Sequence, residues 1–158
     1  MSKVRLLVLL FTHLGAGAIG FALGIYALPI LIAPPAPSES EVAAMSEQSS
    51  YSAEFVRELE GSDTLHWGEG TVSLGSDYVT FMGALAPGPD YRLYLVPEFV
   101  QTEAEFERVK QSSLYVGDVK TFENFIVPVA PGTDLAAFDT VLVWCETFGE
   151  FITAAKYR

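Results

Sequence analysis

Cysteine, histidine and, near the N-terminus, charged residues are scarce in this chain of 158 residues. Cys145 is the only cysteine, which excludes an intramolecular disulfide framework. The histidines are His13 and His66, so the chain beyond residue 33 offers one cysteine and one histidine. Because a structural zinc site needs about four ligands at workable spacing, we expect no metal site.

Basic residues are few in the rest of the chain. All 20 acidic residues lie after residue 34, together with only seven of the nine basic residues, which gives that part a net charge of about −13. A surface of this sign opposes binding to nucleic acid and to anionic lipid head groups. We therefore expect no nucleic-acid partner, whereas a cationic protein partner is compatible with this charge.

The first 33 residues are uncharged except at their start. No charged residue lies between Leu6 and Ala33, a run of about 28 residues, and about 20 apolar residues suffice to cross a bilayer. Lys3 and Arg5 precede the run, so the positive-inside rule places the N-terminus in the cytoplasm. We predict a single-pass membrane anchor over residues 1–33 and a periplasmic or extracellular remainder. A cleaved signal peptide is the alternative, although its apolar region typically has only about 7–15 residues.

Small residues recur within the apolar run. The letters GAGAIG, residues 15–20, match the G-x-G-x-x-G dinucleotide pattern, which requires a preceding strand and solvent for a phosphate. A membrane helix provides neither. Ala16, Gly20 and Gly24 instead share one helix face, where a second helix could approach closely and form a homodimer. The general frequency of small residues in membrane helices is the alternative explanation.

The next segment differs in composition from both its neighbours. Residues 34–50, PPAPSESEVAAMSEQSS, are rich in proline, serine and glutamate and lack a large apolar face. This composition predicts a solvated tether. The letters SAEFVRELEG then predict a short helix, because Ser52 can cap it and Phe55 and Leu59 share one face.

From Thr64 onward, short β-type runs alternate with turn residues. The candidate strands are TLHW, GTVSL, YVTFMG, YRLYLV, SLYVGDV, NFIVPV, TVLVWCETF and FITAAKY. The letters TEAEFERVK predict a helical insert, since Thr102 and Glu105 have capping-box spacing. Many short strands with frequent turns are typical of an antiparallel β-sandwich or barrel. We therefore predict an all-β exported domain over residues 51–158, preceded by one N-terminal transmembrane helix.

Cys145 lies in the most apolar of these strands. Strand alternation places Cys145 on one face with two valines and puts Trp144 and Glu146 on the other. The valine face favours a cysteine that packs in the core as a small hydrophobic residue. A lone thiol in an oxidising compartment, however, is open to oxidation unless it is buried or used. The residues alone leave both interpretations open, and they predict a central strand, since such an apolar edge would be hazardous.

Four motifs in a fixed order give the chain a resemblance to a known family. They are HWGEG at residues 66–70, PGPDYRLYL at 87–95, VGDVKTFENFIVPV at 116–129 and DLAAFDTVLVWC at 134–145. Together they resemble the electron-transfer DM-thirteen domain family over about residues 64–157. The resemblance does not extend to the anchor or the tether.

The resemblance implies a redox module of the cell surface built around one cysteine, which corresponds to Cys145. That cysteine would act as a bare thiol or as a ligand to a prosthetic group such as haem, for which thiolate ligation is known chemistry. His66 is the only exported histidine that could add a second ligand, and without a C-x-x-C-H motif any haem would be non-covalent. A bare thiol works as the thiolate, which the neighbouring Glu146 would disfavour. Since no haem-type domain accompanies these motifs, we expect a separate redox partner protein.

Two functional hypotheses of different classes follow. The first is a membrane-tethered extracytoplasmic redox or electron-transfer accessory whose working group is Cys145. The second is a non-catalytic tethered β-sandwich that binds a protein or ligand, with Cys145 as core packing. A visible haem spectrum, or the reactivity of the thiol in the folded state, would discriminate between them.

Overall fold

The fold is that of a computed structural model, which describes residues 2–158. Met1, predicted to be cytoplasmic, lies outside the described residues. The α-helices are α1 (Lys3–Ile32), α2 (Glu39–Ser46) and α3 (Glu103–Val109). The strands are β1 (Tyr51–Phe55), β2 (Gly68–Leu74), β3 (Tyr78–Leu85), β4 (Tyr91–Val96), β5 (Leu114–Val119), β6 (Phe125–Pro128), β7 (Thr140–Cys145) and β8 (Glu150–Lys156).

The strands form two four-stranded sheets that pack as a β-sandwich. The first sheet has the order β1-β2-β3-β6, and the second has the order β5-β4-β7-β8. Each pair of neighbouring strands is antiparallel. The predicted all-β antiparallel domain behind one long apolar helix is therefore confirmed, as a sandwich rather than a closed barrel.

Strand β7 divides the buried side chains into two layers. It pairs with β4 on one side and β8 on the other, which confirms its predicted central position. Val141, Val143 and Cys145 belong to the core between the two sheets. Leu142 and Trp144 belong to a second cluster, which includes side chains of α3. The six residues of β7 are consequently all buried.

The helix predicted from Ser52 is wrong, because this stretch forms β1. Its side chains alternate between exposed and buried positions, the two-residue period of a strand. Phe55 is 1% exposed, and its ring centroid lies 5.4 Å from that of Phe81 in β3. Packing of this aromatic pair outweighs the weak local preference for a helix.

The strand predicted over residues 64–67 is also wrong. Asp63 bonds the backbone N–H groups of Leu65 and His66, so the segment folds into a turn that precedes β2. The other seven predicted strands are present. The predicted helical insert is α3, and Thr102 caps it.

Residues 34–50, predicted as a tether, lie against the sandwich. Ser38 forms a capping box at the start of α2, which packs on β3 and β6. Val42 of this helix is buried. Asn124 donates an amide hydrogen bond to the Pro37 carbonyl oxygen at 3.2 Å. The segment therefore holds the end of α1 close to the domain.

Helix α1 is long and apolar enough to cross a membrane, by length and composition. Most of its side chains are exposed within the described chain. Its last third is different, because Ile25 is half-buried and Pro29 is buried. This part of α1 lies beside the loops at one end of the sandwich, next to the end of β7.

Candidate functional site

Cys145 is the last residue of β7 and has a fixed backbone position. It lies opposite Tyr91 of β4 and opposite Glu150 of β8. In the turn that follows, Gly149 has a φ of 67°, a left-handed conformation that favours glycine. The Gly149 N–H donates to the Cys145 carbonyl oxygen at 2.9 Å. The thiol is unpaired among the described residues, and the residue is only 3% exposed.

A cavity of about 340 Å³ lies beside the thiol, at the end of the sandwich where β4 begins and β7 ends. The β3–β4 loop forms one wall through residues 87–89. Phe148, from the turn between β7 and β8, forms another. Helix α1 supplies a third wall through Ala22, Ile25 and Tyr26. The cavity therefore lies between the β domain and the last third of the apolar helix.

His66 lines the same cavity from the loop before β2. Asp63 Oδ1 accepts the N–H groups of Leu65 and His66 at 2.6 and 2.8 Å. The other carboxylate oxygen, Oδ2, lies 3.1 Å from His66 Nδ1. Such a carboxylate pair orients an imidazole and leaves Nε2 as the nitrogen for a ligand. The structure thus places the two residues predicted as ligands, Cys145 and His66, at one cavity.

The residues after His66 tie its loop to the rest of the site. The Trp67 carbonyl oxygen accepts the Ala86 N–H at 2.9 Å, which joins the His66 loop to the β3–β4 loop. Gly68 packs against β8, where a Cβ would lie 2.5 Å from the Thr153 side chain. A residue with a Cβ would have to displace the side chains of Thr153 and Leu85. Both loops that line the cavity are therefore held by backbone contacts.

Burial raises the pKa of the Cys145 thiol. The backbone N–H groups of Phe148 and Asp90 lie near the sulfur and favour the thiolate. The negative charges of Asp90 and Glu150 act with burial and favour the neutral thiol, which prevails.

Glu146 does not act on the thiol, although its place in the chain predicted that it would. Its carboxylate accepts a hydrogen bond from the Tyr94 hydroxyl at 3.1 Å and one from Lys110 Nζ at 3.0 Å. These partners lie with the cluster beside α3, on the opposite face of the second sheet. The carboxylates that do affect the sulfur belong to Asp90 and Glu150.

Most residues that line the cavity were not singled out from the sequence, among them Tyr91, Phe148 and Tyr26. Tyr91 donates its hydroxyl to the Ala86 carbonyl oxygen at 2.7 Å, and burial raises its pKa. The only sequence feature that pointed to Tyr91 was its position in the PGPDYRLYL motif. No sequence motif indicated Phe148 or Tyr26. One is a turn residue and the other belongs to α1, and they reach this cavity only in the folded chain.

The donor atoms at the cavity match some cofactors better than others. Within residues 2–158, no group of three or more His, Cys, Asp and Glu side chains could hold a metal ion. A haem iron takes one or two axial protein ligands, so a thiol and an imidazole match it in ligand type and number. The volume of about 340 Å³ lies at the lower end of the roughly 300–1,000 Å³ typical of ligand pockets. The space therefore favours a compact ligand.

Comparison with known proteins gives one match. A family model described as Electron transfer DM13 matches residues 55–157. The matched range extends from the end of β1 beyond the end of β8 and includes both Cys145 and His66. No curated protein and no solved structure matches the chain.

Proposed function

Since the chain belongs to the Electron transfer DM13 family, we propose that it is a membrane-tethered extracytoplasmic redox accessory in which Cys145 is the working group. The observation that carries this proposal is the shared cavity of Cys145 and His66. A thiol that only filled the core would need neither an adjacent cavity nor an oriented imidazole. The family supports a redox-related role for the domain, and the cavity supports this residue for it.

Cys145 would serve either as a bare thiol or as a ligand to a prosthetic group. The nearby backbone N–H groups of Phe148 and Asp90 would favour the charged form of the sulfur in both cases. As a bare thiol it would react slowly at neutral pH, because burial keeps it protonated. If haem were bound, Cys145 and His66 would hold it, and its iron would supply one-electron transfer.

The membrane topology completes this proposal. Helix α1 would anchor the chain, with Lys3 and Arg5 on the cytoplasmic side and residues 34–158 in the periplasm or outside the cell. Electrons would then be exchanged with a separate redox partner protein. A homodimer through Ala16, Gly20 and Gly24 stays a prediction from the sequence.

The second candidate function is a tethered β-sandwich that binds a protein or ligand without redox chemistry. One observation favours it: Cys145 is almost completely buried and belongs to the core cluster that contains Val143. In this case the cysteine contributes only packing, and the cavity binds a ligand through its apolar walls. The two functions predict different effects on activity when the sulfur is removed.

The test compares Cys145→Ala with Val143→Ala in a strain that lacks the native gene. Both changes remove buried volume from the same face of β7, so both are expected to lower stability. Only the first removes the thiol. Under the redox proposal, Cys145→Ala abolishes rescue of the deletion phenotype while the protein stays folded and exported, and Val143→Ala retains it.

Two outcomes would contradict the redox proposal. One is full rescue by a folded Cys145→Ala variant. The other is loss of rescue in proportion to stability for both variants, which would support core packing. Protein purified from its native host should also be examined for a Soret band, because that band separates the haem-ligand form from the bare-thiol form.

A further inference from the structure

The Cys145 cavity continues along α1 into a second, more apolar cavity. This second space has a volume of about 300 Å³ and shares Ile25, Pro89 and Phe148 with the first. Its other walls are Thr147 and the α1 side chains beyond Ile25. The two cavities therefore adjoin, with the thiol and imidazole beside the first and apolar side chains around the second.

The length of α1 places this space near a membrane surface. Its 30 residues extend about 45 Å at roughly 1.5 Å per residue, whereas the hydrocarbon core of a bilayer is about 30 Å thick. Counted from Leu6, the first residue of the uncharged run, the about 20 residues that cross the core end near Ile25. Ala22 and Ile25 line the Cys145 cavity. The cavity thus lies where the acyl chains meet the outer head groups.

Exposed apolar side chains at the cavity rim agree with this position. Leu65 and Phe148 both line the cavity and are 55% and 50% exposed. Large apolar side chains in water are unfavourable, and at a membrane interface they contact lipid instead. Their place beside α1 continues the apolar surface of the helix onto the domain. A lipid-soluble ligand could therefore enter from the bilayer without crossing water.

We propose that this space binds a membrane quinone, with its ring in the cavity of Cys145 and His66 and the start of its isoprenoid tail in the adjoining cavity. The proposal rests on the redox function proposed above and names the class of its membrane-side partner. A quinone is planar, apolar on its faces and polar at its carbonyl oxygens. With Nδ1–H directed at the Asp63 carboxylate, His66 Nε2 donates to such an oxygen when the imidazole carries both protons. The compact first cavity matches a ring, and the second matches an alkyl chain.

The test measures binding of decylubiquinone to the full chain in nanodiscs of zwitterionic lipid. Ala22→Trp fills the first cavity from the helix side, and Ala18→Trp is its control, one turn earlier on an exposed stretch of α1. Neither change touches the core of the β domain. We expect saturable binding to the wild type, a loss of affinity of about tenfold or more in Ala22→Trp, and a change within about twofold in Ala18→Trp.

Protection of the thiol provides a second readout. Bound decylubiquinone should slow alkylation of Cys145 by N-ethylmaleimide in the wild type and in Ala18→Trp, but not in Ala22→Trp. Three results would overturn the proposal: uptake proportional to lipid with no saturation, equal affinity in the two tryptophan variants, or a haem that already occupies the space. If decylubiquinone does not bind but Cys145→Ala still loses rescue, the quinone proposal is wrong and the redox proposal stands. If decylubiquinone binds but Cys145→Ala gives full rescue, the redox role of the thiol is wrong and the quinone-binding site stands.

Discussion

The carboxylate of Glu146 and the thiol of Cys145 lie on opposite faces of the second sheet, although the two residues are adjacent in the chain. Glu146 contacts Tyr94 and Lys110 near α3, whereas Cys145 faces the core between the sheets and the cavity. The sheet therefore separates a charged cluster that supports the fold from the cavity that is the candidate functional site. Each can be altered with little effect on the other.

The first prediction concerns Glu146→Gln. The change weakens hydrogen bonds to a half-buried carboxylate, from Tyr94 and from the ammonium of Lys110. We expect the free energy of unfolding at pH 7 to fall by about 1–2 kcal/mol. Urea unfolding of the full chain in mild detergent, followed by near-UV circular dichroism, measures it. The control is Glu69→Gln, which breaks an exposed pair with Arg57 and should cost at most about 0.5 kcal/mol.

The pH dependence of this difference checks its electrostatic origin. Burial opposes the charged form of Glu146, but the hydrogen bonds from Lys110 and Tyr94 outweigh it, so its pKa is lowered. A lowered pKa in the folded state means that the stabilisation is present above the unfolded pKa of about 4.3 and disappears as the pH falls through the folded value. The wild type and Glu146→Gln should therefore converge in stability in acid. A difference that persists there would show that the loss is steric.

The second prediction concerns the order of amide protection. β7 is paired on both sides and buried on both faces, whereas β1 is an edge strand paired only with β2. Amides of β7 should exchange only through opening of most of the domain, and those of β1 through local opening. Hydrogen-exchange mass spectrometry of overlapping peptides measures the difference. Exchange of Val141–Cys145 as fast as that of β1 would contradict the placement of β7.

The sequence predicted most of the sandwich, because its strands are short apolar runs separated by turns. It failed around residues 52–67, where the local pattern is ambiguous. Phe55 and Leu59 fit a helical face, yet Phe55 packs against Phe81, which is distant in the chain. The segment after it is organised by Asp63, whose side chain replaces strand pairing with a turn. Both outcomes depend on contacts that no local period encodes.

The sequence predicted the two candidate ligands, Cys145 and His66, but not the residues that surround them. Strand alternation placed Cys145 on the valine face, as the structure has it. Its true electrostatic neighbours, Asp90 and Glu150, come from the loop before β4 and from β8. The contribution of Tyr26 was equally hidden, because a membrane-anchor pattern gives no sign that the helix also lines a cavity.

The third prediction concerns topology. Lys3 and Arg5 precede the apolar run, and the sequence that follows it is acidic. This difference in charge predicts that residues 34–158 are exported. A reporter active only outside the cytoplasm should be active when fused after Arg158, and a reporter active only in the cytoplasm should be silent. The mass of the membrane-extracted protein should include α1. Activity of the cytoplasmic reporter, or a mature protein that lacks the first 33 residues, would contradict the anchored topology.

The fourth prediction concerns Cys145 in alkali. Burial raises the pKa of its thiol in the folded state, whereas the unfolded thiol ionises near its ordinary value of about 8.5. The stabilisation from the protonated thiol is thus complete below about pH 8.5 and is lost as the pH rises towards the folded pKa. Between about pH 8.5 and 10 the wild type should therefore lose more stability than Cys145→Ala, because only the wild type has a thiol that ionises more readily in the unfolded state. Tyr157, whose pKa burial also raises, is present in both proteins and cancels in the comparison. Burial and the nearby Cys145 raise the pKa of Tyr91, but an unfolded tyrosine ionises only near pH 10, at the upper end of this range. Urea unfolding at several pH values gives both slopes, and equal slopes would show that the folded thiol ionises as readily as the unfolded one.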